Sequence, residues 1–129
     1  FYDVSHNKKG MEKTFQTLNE LYPGKDIHGL LCLKKDKNLI SLKSLILKNF
    51  KTLIVSEDQK GFLLNSTILV KELDKLNIKC DKVNSLKDGI VILKNLVKKK
   101  SSIGLIFGSH YIAEEVFHAF EISFDNYYI

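Results

Sequence analysis

Asp3, His6 and Asn7 fall within the first seven residues, in the stretch FYDVSHN, where a short apolar run gives way to a turn. An aspartate at a strand end can accept hydrogen bonds from vicinal ribose hydroxyls, as acidic residues do in many nucleotide sites. An imidazole and an amide on the following turn, close to a helix N-terminus, could contact a phosphate or a reacting carboxylate. The same residue types also suit an Asx turn at Asp3 with Ser5 or Asn7 capping the helix, and spacing alone leaves both readings open.

A second set lies near the other end of the chain. The stretch FGSHY puts Gly108, Ser109, His110 and Tyr111 directly after an apolar run, so that Ser109 and backbone N–H groups could face an anion. Taken alone, it reads as an ordinary strand-to-helix turn with Ser109 as the N-cap. Asp36 and Lys37 sit in the polar stretch KKDKN that follows the apolar IHGLLCL. His28 and His118 have no partner in the sequence and read as packing or surface residues. There is no GxGxxG, no GxxxxGKS/T, no nucleophile elbow and no metal-ligand helix, so the chain carries no phosphate cradle of its own. Cys32 and Cys80 are far apart and lack any Cys-x-x-Cys or Cys/His spacing. Two reduced, half-buried thiols are therefore expected rather than a zinc site or a disulfide.

Composition narrows the class. A chain of 129 residues suits one domain with one ordinary core, and 44% hydrophobic with 27% charged residues is the balance of a globular protein. No apolar run approaches the roughly 18 residues of a membrane span, and no leader precedes a cleavage site, so a cytoplasmic location without membrane contact is the expectation. A net charge of +5 could suggest nucleic acid, yet all 20 basic residues are lysine. Arginine is the usual residue for bidentate contacts to bases and phosphates, so nucleic acid is not expected as a partner. The lysines are spread along the chain, and the densest run, Lys98 to Lys100, falls at a helix end where positive charge complements the dipole.

The elements that must position these residues follow from periodicity. After FYDV, residues 10–22 carry Met11, Phe15, Leu18 and Tyr22 on one helical face, and Pro23-Gly24 ends it. Residues 27–33 read as a buried strand, 39–49 as an apolar-rich helix and 51–55 as a second buried strand. A helix over 66–76 starts at Asn65 or Ser66 and buries Leu69, Leu73 and Leu76. Residues 78–83 form a short, polar strand suited to a sheet edge. Ser85 and Asp88 resemble a capping box that opens a helix with Leu86, Ile90, Leu93 and Val97 on one face. Residues 102–108 are the last clear strand, with a helix directly after it, and 121–129 are ambiguous. The pattern is an α/β fold, a doubly wound, mostly parallel sheet with helices on both faces. Ligands of such sheets bind at the carboxyl ends of the strands, which selects residues 3–9, 34–38 and 108–111. His6 and Ser109, far apart in sequence, should then meet at adjacent strand ends.

Together these segments resemble a known family. The run from Asp3 to Asn7 is similar to the D-x-x-H-N motif that opens the C-terminal domain of the Mur ligase superfamily, and within it to the D-G-A-H-N of the folylpolyglutamate synthase/dihydrofolate synthase family. Asp36-Lys37-Asn38 resembles that family's D-K-D after a strand. Gly108, Ser109, Tyr111, Glu115 and Val116 resemble its late G-S-x-Y-x-x-x-E-V element. The order and spacing of all three agree, so the resemblance covers nearly the whole chain.

The resemblance implies that residues 1–129 are the Rossmann-like C-terminal domain of an ATP-dependent amide ligase, with a P-loop domain upstream. In that family ATP phosphorylates a substrate carboxylate, and the amine of glutamate attacks the acyl phosphate. It implies ATP and Mg2+ as cofactors, the metal held mainly by the upstream domain, and L-glutamate with dihydropteroate or a folate as partners. Asp3, His6 and Asn7 would then face the nucleotide, Asp3 on its ribose. His6 and Ser109 would hold catalytic positions near the phosphates and the incoming glutamate, and Asp36, Lys37, Ser109, His110 and Tyr111 would lie on the substrate side. A chain that starts on a strand without an initiating methionine is accordingly expected to be a third to a quarter of an enzyme, inactive by itself. This sequence departs from the family at Asn38, where a second aspartate is usual, and at Gly61-Phe62, in the place of a frequent Pro-Arg pair. The Gly-Arg pair usual just upstream of the first strand is also absent. Two rivals remain: a ligase that extends a peptidoglycan precursor, and a non-catalytic α/β nucleotide-binding module.

Overall fold

Met11, Phe15 and Leu18 recur at helical spacing, and in the computed structural model of the chain they form the buried face of helix α1 (Lys8–Leu21). The structure describes residues 1–3, 8–32, 39–56, 65–108 and 116. Strand β1 (Tyr2–Asp3) precedes α1, and β2 (Ile27–Leu31), α2 (Lys43–Asn49), β3 (Phe50–Val55) and α3 (Ser66–Lys75) follow it. The chain then continues through β4 (Asp81–Lys82), α4 (Leu86–Lys100) and β5 (Ile103–Phe107).

The five strands form one sheet in the order β1-β5-β2-β3-β4, and every described pairing is parallel. Handedness explains how the helices divide. The chain steps in one direction from β1 to β2, β3 and β4, so right-handed crossovers put α1, α2 and α3 on one face. It steps back from β4 to β5, which puts α4 on the other. The apolar side chains separate in the same way. Phe15, Ile46 and Leu69 share one cluster with Leu31, Val55 and Phe107, while Leu86, Ile90 and Leu93 share a second with Leu30, Ile54 and Ile106. The period-two alternation of β2, β3 and β5 feeds both clusters, which is why β2 is buried throughout, β5 nearly so, and β3 over its second half, Leu53 to Val55. The expected doubly wound sheet, with its polar strand at an edge, is the one observed.

Local departures from expectation have local causes. Residues 39–49 are not one helix: a 3-10 turn, Ile40–Leu42, precedes α2, and neither start has a side-chain cap. Without a capping residue the first turn winds to three residues per turn, which aligns the buried Leu39 with the buried Leu42. Tyr22 lies beyond α1 and is exposed, its ring tilted against Phe1 at 5.7 Å, so it does not join the buried stripe. The polar strand is shorter than 78–83, because only Asp81 and Lys82 pair with β3 while Ile78 turns into the core. Asn65 and Ser85 cap α3 and α4, accepting from the amides of Thr67 at 2.9 Å and Asp88 at 3.1 Å.

Helix α4 ends on Ser101, a non-glycine residue at φ 50°, ψ 48°, whose amide bonds the Val97 carbonyl. The left-handed region costs an L-residue with a Cβ on the order of 1 kcal/mol, which glycine avoids. Ser101→Gly should therefore raise the unfolding free energy by about 1 kcal/mol and the melting midpoint by roughly 4 °C, read by circular dichroism. A lower midpoint would show that the serine side chain contributes more than its backbone costs.

Candidate functional site

Asp3, Leu31, Val55 and Phe107 stand at one level of the sheet, because Asp3 pairs with Phe107, Phe107 with Leu31 and Leu31 with Val55. The carboxyl ends of β1, β5 and β2 are thus immediate neighbours. From β1 the chain goes to α1 on one face, whereas beyond β5 the helical residue Val116 is buried against Leu86 and Ile90 on the other. Departures toward opposite faces open a crevice at the strand ends, the usual ligand position in such sheets.

Asp3 is half-buried at this edge. The Thr14 hydroxyl, on α1, donates to its Oδ2, so the carboxylate is held from a neighbouring element. Asp3 and Thr14 share with Gly10 and Lys13 the wall of a cavity of about 400 Å³, floored by Leu18 and Leu105. Beside it Tyr2 packs on the opposite face with Cys32, and burial, with Cys32 and Asp3 close by, pushes its phenol well above the ordinary value. Tyr2 therefore stays neutral and acts as a wall, not as a base.

Between β5 and β2 the backbone is packed tightly. The Cys32 amide donates to the Phe107 carbonyl at 3.1 Å, and Gly108 then turns away at φ 110°. A Cβ at Gly108 would lie 2.4 Å from the Cys32 carbonyl oxygen. The Cys32 thiol is fully buried, 3.8 Å from the Ser56 hydroxyl at the end of β3. It is thus more enclosed than the half-buried thiol expected from sequence.

Of the residues singled out from sequence as site candidates, Asp3 is described. His6, Asn7, Asp36, Lys37, Ser109, His110 and Tyr111 lie outside the described residues, as do Asn38, Gly61 and Phe62. The strands that lead into His6 and Ser109 are adjacent and parallel, as expected. His28 is buried within β2, two residues before Leu30 on the α4 side. Thr14 and Lys13 were not legible as site residues. The available signal was Thr14's place three residues after Met11 and four before Leu18, which puts a hydroxyl at the margin of the buried stripe.

A cavity of about 440 Å³ opens at the amino end of the sheet, lined by Phe50, Lys51, Asn77, Cys80 and Asp81. Burial, followed by Asp81 and Asp74, pushes the Cys80 thiol up, which makes it a poor nucleophile. Both cysteines are free, and among the described residues no group of three His, Cys, Asp or Glu could hold a metal ion. No helix among them is long and apolar enough to cross a membrane.

Solved structures share this fold. A Mycobacterium tuberculosis folylpolyglutamate synthase complexed with ADP and AMPPCP superposes with a TM-score of 0.81 at 19% identity, over 94% of this chain and 29% of that one. The fold is one that folylpolyglutamate synthases contain. A bifunctional folylpolyglutamate synthase/dihydrofolate synthase from Yersinia pestis, complexed with AMPPNP and Mn ion, gives a TM-score of 0.74 at 11% identity over 93% of this chain and 28% of that one. A bifunctional synthase with Mn, AMPPNP and L-glutamate bound gives 0.70 at 10% identity, over 93% and 28%. This chain therefore spans less than a third of the length of the proteins whose fold it shares. No family model and no curated protein matches it.

Proposed function

We propose that this chain is the C-terminal domain of an ATP-dependent ligase that adds glutamate to dihydropteroate or folates, the rest of the active site lying on a P-loop domain of the same protein. The observation that carries the reading is the shared carboxyl edge. Asp3, Gly108 and Cys32 end three adjacent parallel strands at a crevice, in a fold shared with synthases crystallised with adenine nucleotides and, in one case, L-glutamate.

In the proposed reaction the substrate carboxylate attacks the γ-phosphorus of ATP, ADP leaves, and the glutamate amine displaces phosphate from the acyl phosphate to give the amide. Asp3 accepts hydrogen bonds from the two ribose hydroxyls. His6 and Ser109 follow strands that end side by side, and are assigned to the phosphates and the incoming glutamate, with Asn7 beside the nucleotide. Asp36, Lys37, His110 and Tyr111 are assigned to the substrate side. Mg2+ is assigned mainly to the P-loop domain, where it would neutralise charge on the transferring phosphoryl group.

The test is ATP-dependent glutamate incorporation by the full-length protein, offered dihydropteroate, a reduced folate and a UDP-linked muropeptide precursor. Asp3→Ala should raise the KM for ATP at least about tenfold, roughly 1.4 kcal/mol, with little change in melting temperature. Activity with the muropeptide alone would replace the folate reading with its peptidoglycan rival. ATP binding without ligation of any acceptor would favour a non-catalytic nucleotide-binding module.

A further inference from the structure

We propose that Thr14 is a positioning residue for nucleotide recognition: its hydroxyl fixes the plane of the Asp3 carboxylate so that both ribose hydroxyls of ATP are received together. The inference deepens the ribose assignment of Asp3 and rests on it.

Three observations carry it. First, a threonine in the middle of a helix ordinarily turns its hydroxyl back to the carbonyl four residues earlier. Here the Thr14 Oγ1 has that acceptor, the Gly10 carbonyl, at 3.2 Å, and the Asp3 Oδ2 closer still. One hydroxyl carries one proton, and a bond to an ionised acceptor is about twice as strong as one to a neutral carbonyl, so the proton goes to Asp3.

Second, an aspartate's terminal torsion is broad, which leaves the carboxylate plane free to rotate unless something outside the residue holds it. Reception of two neighbouring hydroxyls depends on that plane, since misorientation weakens both bonds at once. The donor that holds it comes from α1, an element whose own position is set by Met11, Phe15 and Leu18 in the core.

Third, the bonded pair is reachable. Asp3 and Thr14 lie together on the wall of the roughly 400 Å³ cavity instead of beneath the sheet, with Lys13 beside them. Thr14 itself is half-buried, so its hydroxyl is committed to the carboxylate while the cavity side stays open to a ligand.

The experiment uses the full-length protein and its Thr14→Val, Thr14→Ser and Asp3→Ala variants. Dissociation constants for ATP and for 2′,3′-dideoxy-ATP are measured by calorimetry, with melting temperatures alongside. Thr14→Val, which keeps shape and removes the hydroxyl, should weaken ATP about five- to tenfold and leave dideoxy-ATP within twofold. Thr14→Ser, which keeps the hydroxyl, should restore ATP affinity to within twofold of the parent. Asp3→Ala should weaken ATP tenfold or more, again sparing dideoxy-ATP. If Asp3→Ala discriminates the two nucleotides and Thr14→Val does not, the positioning role is overturned while the ribose assignment stands. If Asp3→Ala weakens both equally or neither, the ribose assignment falls and the role of Thr14 with it. A purely structural Thr14 would lower the melting temperature and shift both nucleotides alike, which also overturns the proposal.

Discussion

Gly108→Ala should destabilise the domain by roughly 4 kcal/mol, the sum of two costs of comparable size. One is conformational: Gly108 sits at φ 110°, where a residue with a Cβ is strained by about 1–3 kcal/mol. The other is steric. The new methyl would lie 2.4 Å from the Cys32 carbonyl oxygen and 3.1 Å from its carbon, atoms of a backbone held by the β2–β5 ladder. Such overpacking typically costs about 1–3 kcal/mol more. Gly24→Ala separates the two, because Gly24 also has a positive φ, 77°, but nothing stands within 4 Å of its added Cβ. Urea melts of the two variants should differ by about 2 kcal/mol, and equal losses would show that the strand end yields to the methyl. Against a total stability of roughly 5–15 kcal/mol, the Gly108 variant approaches the threshold of folding.

Phe107→Ala is expected to have a similar effect by a different route. Phe107 is fully buried on the interior strand β5 and stacks on Phe50, with ring centroids 5.0 Å apart and planes at 19°. Phe50 in turn meets the edge of Phe15 at 5.2 Å, and it lies in the space left by the missing side chain of Gly29. Truncation removes one ring and leaves a second with a vacant face, so the loss should be about 3–5 kcal/mol. Phe107→Leu, which fills most of that volume, should cost nearer 1.5 kcal/mol. The Phe50→Ala/Phe107→Ala double variant should lose less than the sum of the single losses, because each single change already removes the whole contact between the two rings. Additive losses would show that the two rings act independently.

Periodicity alone located most of this framework. The apolar runs of β2, β3 and β5 are legible because both of their faces are covered, α3 and α4 because a stripe and a cap agree at each, and α1 because its stripe ends before Pro23-Gly24. Tyr22 misled the reading of α1, since its spacing from Leu18 satisfies the helical period but Pro23 and Gly24 turn the chain before it can be buried. The division of residues 39–49 was not legible, because an uncapped start gives no sign of where a tighter turn will form. At the site, Asp3 could be read as a strand-end acid from its neighbours in sequence. Its partner Thr14 could not, because a threonine on a helix margin has the same local signature whether or not an edge strand brings a carboxylate to it. The pairing depends on tertiary packing, which a one-dimensional pattern does not encode.

The strand order has a consequence for how the molecule assembles. β5 is the last described strand in sequence and yet lies second in the sheet, between β1 and β2. The Phe1 nitrogen donates to the Gly104 carbonyl, 103 positions on in sequence, and the Ile106 amide donates to the Phe1 carbonyl. Until residues 103–107 have left the ribosome, β1 lacks the one strand it pairs with among the described residues, and β2 is open on that side. A contact of such long sequence separation carries a high loop-closure cost and forms late. Asp3, which precedes the other described strands in sequence, is therefore among the last residues of this sheet to be fixed in place. The nucleotide contact we propose for Asp3 would then become available only when the whole sheet is complete.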